Sequence, residues 1–98
     1  MKIRILDHAE DDLIQGFAFY EKQQAGIGAY FLDSLASVID SLLLYAGTHP
    51  THFGRYYRLL SKRFPFAVYY PTSDDVAWVH AVLDCRRDPA WIREHLRE

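Results

Sequence analysis

The sequence predicts a small α+β fold: an N-terminal strand and a helical hairpin packed on a mainly antiparallel sheet, with a short C-terminal helix. Three observations carry this prediction. Residues 8–46 hold two apolar patterns of helical period, separated by Gly26 and Gly28. Residues 53–84 hold three runs rich in aromatic and β-branched side chains. Half of the 98 residues are apolar and 24% are charged, a mixture that favours a packed core over disorder. At this length one domain is expected, spanning residues 1–98.

The elements follow in order. Residues 2–6 alternate up to Ile5 and read as a short strand with Ile3 and Ile5 on one face. Asp7 then stands where a helix cap belongs, and Glu10 lies at the spacing of a reciprocal capping box. The first helix is predicted over residues 8–24, with Leu13, Phe17, Tyr20 and Gln24 in one line and Ile14 and Ala18 widening it. A second helix is predicted over residues 27–46, with Phe31, Leu35, Val38, Ile39, Leu42 and Leu43 on its apolar face. Gly47 and Pro50 end it.

Three strands are predicted next, over residues 53–60, 64–70 and 76–84, forming an antiparallel meander. In the second, Phe64, Phe66, Val68 and Tyr70 share one face, and Ala67 and Tyr69 take the other. Asp74 and Asp75 mark the tip of the following turn. The third run is apolar on both sides, with Val76, Trp78 and Val82 set against Ala77, Val79, Ala81 and Leu83, which predicts a central strand. Asp88 caps a last helix over residues 88–97, with Pro89 in its first position. The helical hairpin should cover one sheet face and leave the other partly open as the working surface.

A net charge of −2 argues against a general nucleic-acid coat, but its distribution is uneven. Residues 51–70 carry Arg55, Arg58, Lys62 and Arg63 and no acid. Arg58, Lys62, Arg63, Arg86 and Arg87 form the leading candidate group, because neighbouring strand ends can bring distant cations together around a phosphate. Solvated arginines paired to Asp84 or Asp88 are the competing reading. His80 lies within a predicted strand and is a candidate acid or base, or a satisfied core residue. Tyr56, Tyr57, Tyr69 and Tyr70 come as adjacent pairs, so one member of each faces the core and the other is open to a base or a partner. Trp91 either packs on the sheet or flanks the groove. A lone cysteine, Cys85, excludes an internal disulfide, and His49 and His52 lack companions for a metal site. No cofactor motif is present, and no metal is expected. Early acids exclude a signal peptide, and no membrane span of about 20 apolar residues is expected, which points to the cytoplasm.

Four fragments together carry a family resemblance. Ala9, Asp12 and Leu13 look like an A-x-x-D-L helix opening; residues 19–35 look like an inter-helix segment; residues 63–70 resemble an "RFPYxIYY" strand; residues 81–89 resemble an "AVLHxxRDP" ending. In this order they make the chain similar to the RelE/ParE superfamily of toxins from bacterial type II toxin–antitoxin systems, including plasmid-stabilisation types. The resemblance covers nearly the whole chain. It implies growth inhibition by a toxin held inactive in a hetero-oligomer with a cognate antitoxin that wraps it.

The superfamily divides in mechanism. ParE-like members inhibit DNA gyrase. RelE-like members cleave mRNA on the ribosome with basic residues and a late tyrosine. The resemblance places Arg58, Lys62, Arg63 and Arg87 in the regions that would serve catalysis in a ribonuclease. Arg86, Tyr69, His80 and Trp91 would contact phosphate or target. Here Trp91 and His95 stand near where the late tyrosine would be, and Asp84 replaces the motif's histidine. These departures tilt the expectation towards a toxin acting on gyrase or a related protein. A ribosome-dependent mRNase is the alternative, and a weakly active antitoxin-binding member is the third.

Overall fold

A computed structural model of the chain describes residues 1–97. Strand β1 (Lys2–Ile5) leads into α1 (Asp7–Gln23). The capping box expected of Asp7 and Glu10 does not form: Leu6 is the residue before the helix, and no side chain caps it. Asp7 and Glu10 lie instead inside the first turn, where their charge favours the helix dipole. The span predicted as one second helix divides into α2 (Ile27–Asp40) and α3 (Leu42–Tyr45). The division falls at Ser41, whose hydroxyl donates to the Val38 carbonyl at 2.6 Å.

The turn between α1 and α2 depends on glycine. Gly26 has φ 93°, and a Cβ on Gly28 would lie 2.9 Å from the Phe17 carbonyl oxygen. The Glu21 carboxylate accepts the Gly26 amide at 3.1 Å and the Gly28 amide at 2.9 Å. An acid from the end of one helix thus satisfies the free amides at the start of the next.

The face α1 buries differs from the predicted line. Ala9, Asp12 and Gly16 are its buried residues, whereas Leu13, Phe17 and Tyr20 are half-buried and Ile14 is exposed. Small side chains let α1 approach closely: a Cβ on Gly16 would fall 2.5 Å from the Phe31 ring.

The remaining elements are β2 (Thr51–His52), β3 (Tyr56–Leu60), β4 (Phe66–Tyr70), β5 (Thr72–Ser73), β6 (Val76–Val79), β7 (Ala81–Asp84) and α4 (Pro89–Leu96). One sheet has the order β2-β3-β4-β7, and the other the order β1-β6-β5. β1 runs parallel to β6, with Ile3 opposite Ala77 and Ile5 opposite Val79. The other pairings are antiparallel. The strand predicted from residue 53 begins at Tyr56, because Phe53 and Gly54 take positive φ in a tight turn between β2 and β3.

The strand predicted over residues 76–84 is broken at His80. The His80 amide donates to the Tyr69 carbonyl at 2.9 Å, yet Tyr69 also stands opposite Ala81. Two residues therefore face one, which is a bulge, and it reverses the side-chain parity that follows. Ala77, Val79 and Val82 join the core beneath the helices, and Ala81 and Leu83 point to the opposite face. The predicted grouping of Val82 with Val76 and Trp78 is corrected accordingly.

Two cores result. The first joins Ala9, Phe31, Leu35, Ile39 and Leu42 of the helices to Phe64, Val68, Tyr70 and the residues of β6 and β7. The alternation predicted for β4 places these side chains correctly. The second lies on the other face and contains Tyr56, Ala67, Tyr69, Ala81 and Leu83, covered by Ile92 and Leu96 of α4. That face, predicted to be partly open, is closed at this end by α4. The Asp88 carboxylate accepts the Ala90 amide at 2.9 Å and caps α4 as predicted. Residues 27–45 are long and apolar enough to cross a bilayer by length and composition, contrary to the expectation of no such segment. Their Phe31, Leu35, Ile39 and Leu42 side chains fill the first core.

Candidate functional site

A cleft of about 320 Å³ opens where α1, the end of β7 and α4 meet. Its floor is apolar and includes Phe66, Val82 and Leu83; Gln15, Tyr20, Asp84, Arg87, Trp91 and His95 add polar groups.

At its base is Asp12, only 6% exposed. One carboxylate oxygen accepts the Val82 amide at 3.0 Å, and the other lies 3.2 Å from Nε2 of His95. Burial raises the Asp12 carboxyl above its ordinary range, and the Val82 amide and His95 pull against that shift. The Trp91 ring stacks on His95 at 5.0 Å and 19°, and the Arg87 guanidinium carbon lies 4.1 Å from the Trp91 ring centre. Chemically, the cleft offers a carboxylate-held imidazole, an indole face and a cation along one wall.

The structure divides the predicted cations. The Arg86 guanidinium makes two hydrogen bonds to Asp84, at 3.0 and 2.7 Å, its backbone amide a third at 2.9 Å, and together they hold that carboxyl below its usual range. Arg87 lies over Trp91 beside the cleft. Arg63 donates to the Tyr30 hydroxyl at 2.6 Å, and with Lys62 it borders a separate groove of about 600 Å³ between α2 and β3. Arg58 pairs with Tyr69 across the β3–β4 register, on the side of the second core. The five cations do not share one concavity.

The other predicted residues separate in the same way. Tyr69 is fully buried, and its hydroxyl has no hydrogen-bond partner among the described residues. Burial raises its hydroxyl pKa against the opposing effect of Arg58, and puts the side chain out of reach of a target. His80 packs edge-on to the Tyr56 ring at 5.3 Å, away from the cleft; burial, then Arg55 and His8, lower its pKa. Trp91 flanks the cleft and is 38% exposed. Among the described residues, no three His, Cys, Asp or Glu side chains are grouped to hold a metal ion.

Sequence reasoning missed the Asp12–His95 pair as a unit. Its one local signal was an acid three residues after Ala9, on the line that also holds Gly16 and packs inward.

The fold defined by this architecture, a helical hairpin on a bulged antiparallel sheet closed by a short helix, is found among solved structures. No described protein family and no curated protein matches the sequence. A chain of the chromosomal ParDE TA system from P. aeruginosa shares the fold with a TM-score of 0.78 at 14% identity, over 84% of this chain and 92% of that one.

Proposed function

We propose that this protein is the cytoplasmic toxin of a type II toxin–antitoxin pair of plasmid-stabilisation type. It inhibits growth through DNA gyrase or a related protein target and is held inactive in complex with its antitoxin. The fold shared with a chain of a ParDE system supports the toxin–antitoxin part. The dispersal of the cations carries the choice of a protein target. A phosphoryl-transfer centre converges its cations on one phosphate. Here Arg63 engages Tyr30, Arg86 engages Asp84 and Arg87 lies over Trp91. Exposed Leu43, Leu44 and Tyr45 add apolar surface suited to a protein partner.

One observation favours a second reading, ribosome-dependent cleavage of mRNA. His95, backed by buried Asp12, lies in the same cleft as Arg87 and would supply an acid–base group beside a cation. A weakly active member that mainly binds antitoxin is the remaining alternative.

The test is to induce the protein with and without its genomic neighbour and to follow DNA and protein synthesis separately. The proposal expects early loss of DNA synthesis with gyrase-linked breaks, relieved by the neighbour. Early loss of translation with mRNA cut at codons would replace it with the second reading. Absence of any growth effect would leave antitoxin binding alone.

A further inference from the structure

We propose that Asp12, His95 and Trp91 form a positioning chain that fixes the Arg87 guanidinium at the rim of the α1–α4 cleft. The functional arm of this inference rests on the proposed toxin reading; the structural arm does not.

Asp12 is the fixed end. Its carboxylate is bound on one side to the Val82 amide at 3.0 Å, so it is tied to the backbone of β7, the end strand of its sheet and not the central strand the sequence predicts. The other side faces His95 at 3.2 Å, and that bond sets how the imidazole is turned. The His95 ring then lies nearly parallel to Trp91, at 19° and 5.0 Å. Arg87 completes the row, 4.1 Å from the Trp91 ring centre. Trp91 and His95 are four apart on α4, the spacing that sets side chains in one line along a helix, and Arg87 reaches Trp91 from the turn before Asp88.

Arg87 depends on this row because, among the described residues, no hydrogen bond or ion pair holds its guanidinium. Among the described residues it has no carboxylate within ion-pair distance, whereas neighbouring Arg86 has Asp84 and Arg97 has Glu94. A long arginine side chain adopts many rotamers unless a surface restricts it. The indole face is that surface here, and its angle is set by a carboxylate 75 residues earlier in the chain than Arg87. His95 and Asp12 are thus positioning residues that act through Trp91.

The two functions of His95 can be separated by substitution. His95→Gln keeps a donor for Asp12 and removes the aromatic face. His95→Phe keeps the face and removes the donor; His95→Tyr keeps the face and offers Asp12 a hydroxyl in place of the imidazole N–H. All are made in a Trp78→Phe background so that Trp91 is the one indole, with folding checked by circular dichroism. The readouts are Trp91 emission and nitrogen relaxation at Nε of Arg87.

His95→Gln should shift Trp91 emission to longer wavelength and raise Arg87 Nε mobility. His95→Phe, which breaks the Asp12 bond, should raise Arg87 Nε mobility as well, whereas His95→Tyr, which keeps the face and a donor, should leave it as ordered as in the parent. Unchanged Arg87 mobility in His95→Gln or in His95→Phe would overturn the inference. In cells, His95→Gln should add nothing to the effect of Arg87→Ala, and an additive loss would also overturn it. A parent that does not inhibit growth would sink the toxin reading and leave the relaxation comparison to decide the positioning chain.

Discussion

Replacing Gly16 by alanine tests how α1 is seated on α2. A Cβ at this position would lie 2.5 Å from Cζ and 2.6 Å from Cε2 of Phe31. Carbon atoms in ordinary contact stand about 3.5–4.0 Å apart, so the ring must retreat by about 1 Å. It has little room to do so. Phe31 is fully buried and meets Phe64 at 5.2 Å and Phe66 at 4.9 Å, both edge to face. Overpacking of this kind costs about 1–3 kcal/mol. The better helix propensity of alanine offsets about 1 kcal/mol of that. Because the overlap is about 1 Å and the ring is hemmed in, the cost falls in the upper half of that range; a net loss of about 1–2 kcal/mol follows, a fall of roughly 5–15 °C in melting temperature for a chain of this size. Urea titration with an unchanged slope is the assay, and Phe31→Leu provides the control. Gly16→Ala should cost less in the Phe31→Leu background, because the smaller side chain clears the space. A Gly16→Ala protein as stable as the parent would refute the argument that Phe31 sets the helix spacing.

Arg87→Ala should relieve growth inhibition and move the melting temperature by no more than about 3 °C, since it removes an exposed side chain from the cleft rim; unfolding instead would make Arg87 structural. Asp12→Asn should change how stability depends on pH. Burial raises the folded-state pKa of this carboxyl above its ordinary 3.8, so its contribution is present below that value and is lost as pH rises through the folded one. The urea midpoint of the variant relative to the parent should therefore climb as pH rises from about 4, and a flat difference up to neutrality would contradict the assigned direction. Asp74 and Asp75 hold φ of 54° and 61°, so Asp74→Asn with Asp75→Gly should stabilise the turn by about 1 kcal/mol, read by thermal melting. A loss of stability there would give weight to the exposed pair between the Met1 amine and Asp75 at 3.3 Å, which is expected to contribute little.

The fold was legible wherever a single period governed a segment. Phe64, Phe66, Val68 and Tyr70 alternate cleanly, and the structure puts them in one core. The bulge at His80 left no such mark, because the run around it is apolar on both faces and either parity satisfies composition. The buried face of α1 was hidden for a different reason. Its residues are Ala9, Asp12 and Gly16, and close packing through small side chains carries little hydrophobic signal. In the cleft, Arg87 and Trp91 stood out by type and position. The Asp12–His95 bond joins residues 83 apart, and only the folded sheet brings them within reach. The cations were legible as a count but not as a cluster, since the direction of each depends on the tyrosine, tryptophan or aspartate it meets.

The parallel pairing of β1 with β6 has a consequence in time. Lys2–Ile5 is made before either helix, yet its partners are Val76–Val79. During translation the two helices are complete long before the strands that cover them, so Phe31, Leu35 and Ile39 wait without the sheet side of their core. Closing so long a loop makes this pairing a late and slow event. Between the completion of α3 at Tyr45 and that of β7 at Asp84 the nascent chain therefore holds an apolar helical hairpin whose covering strands are still being made, and the native molecule exists only once its last third has been made.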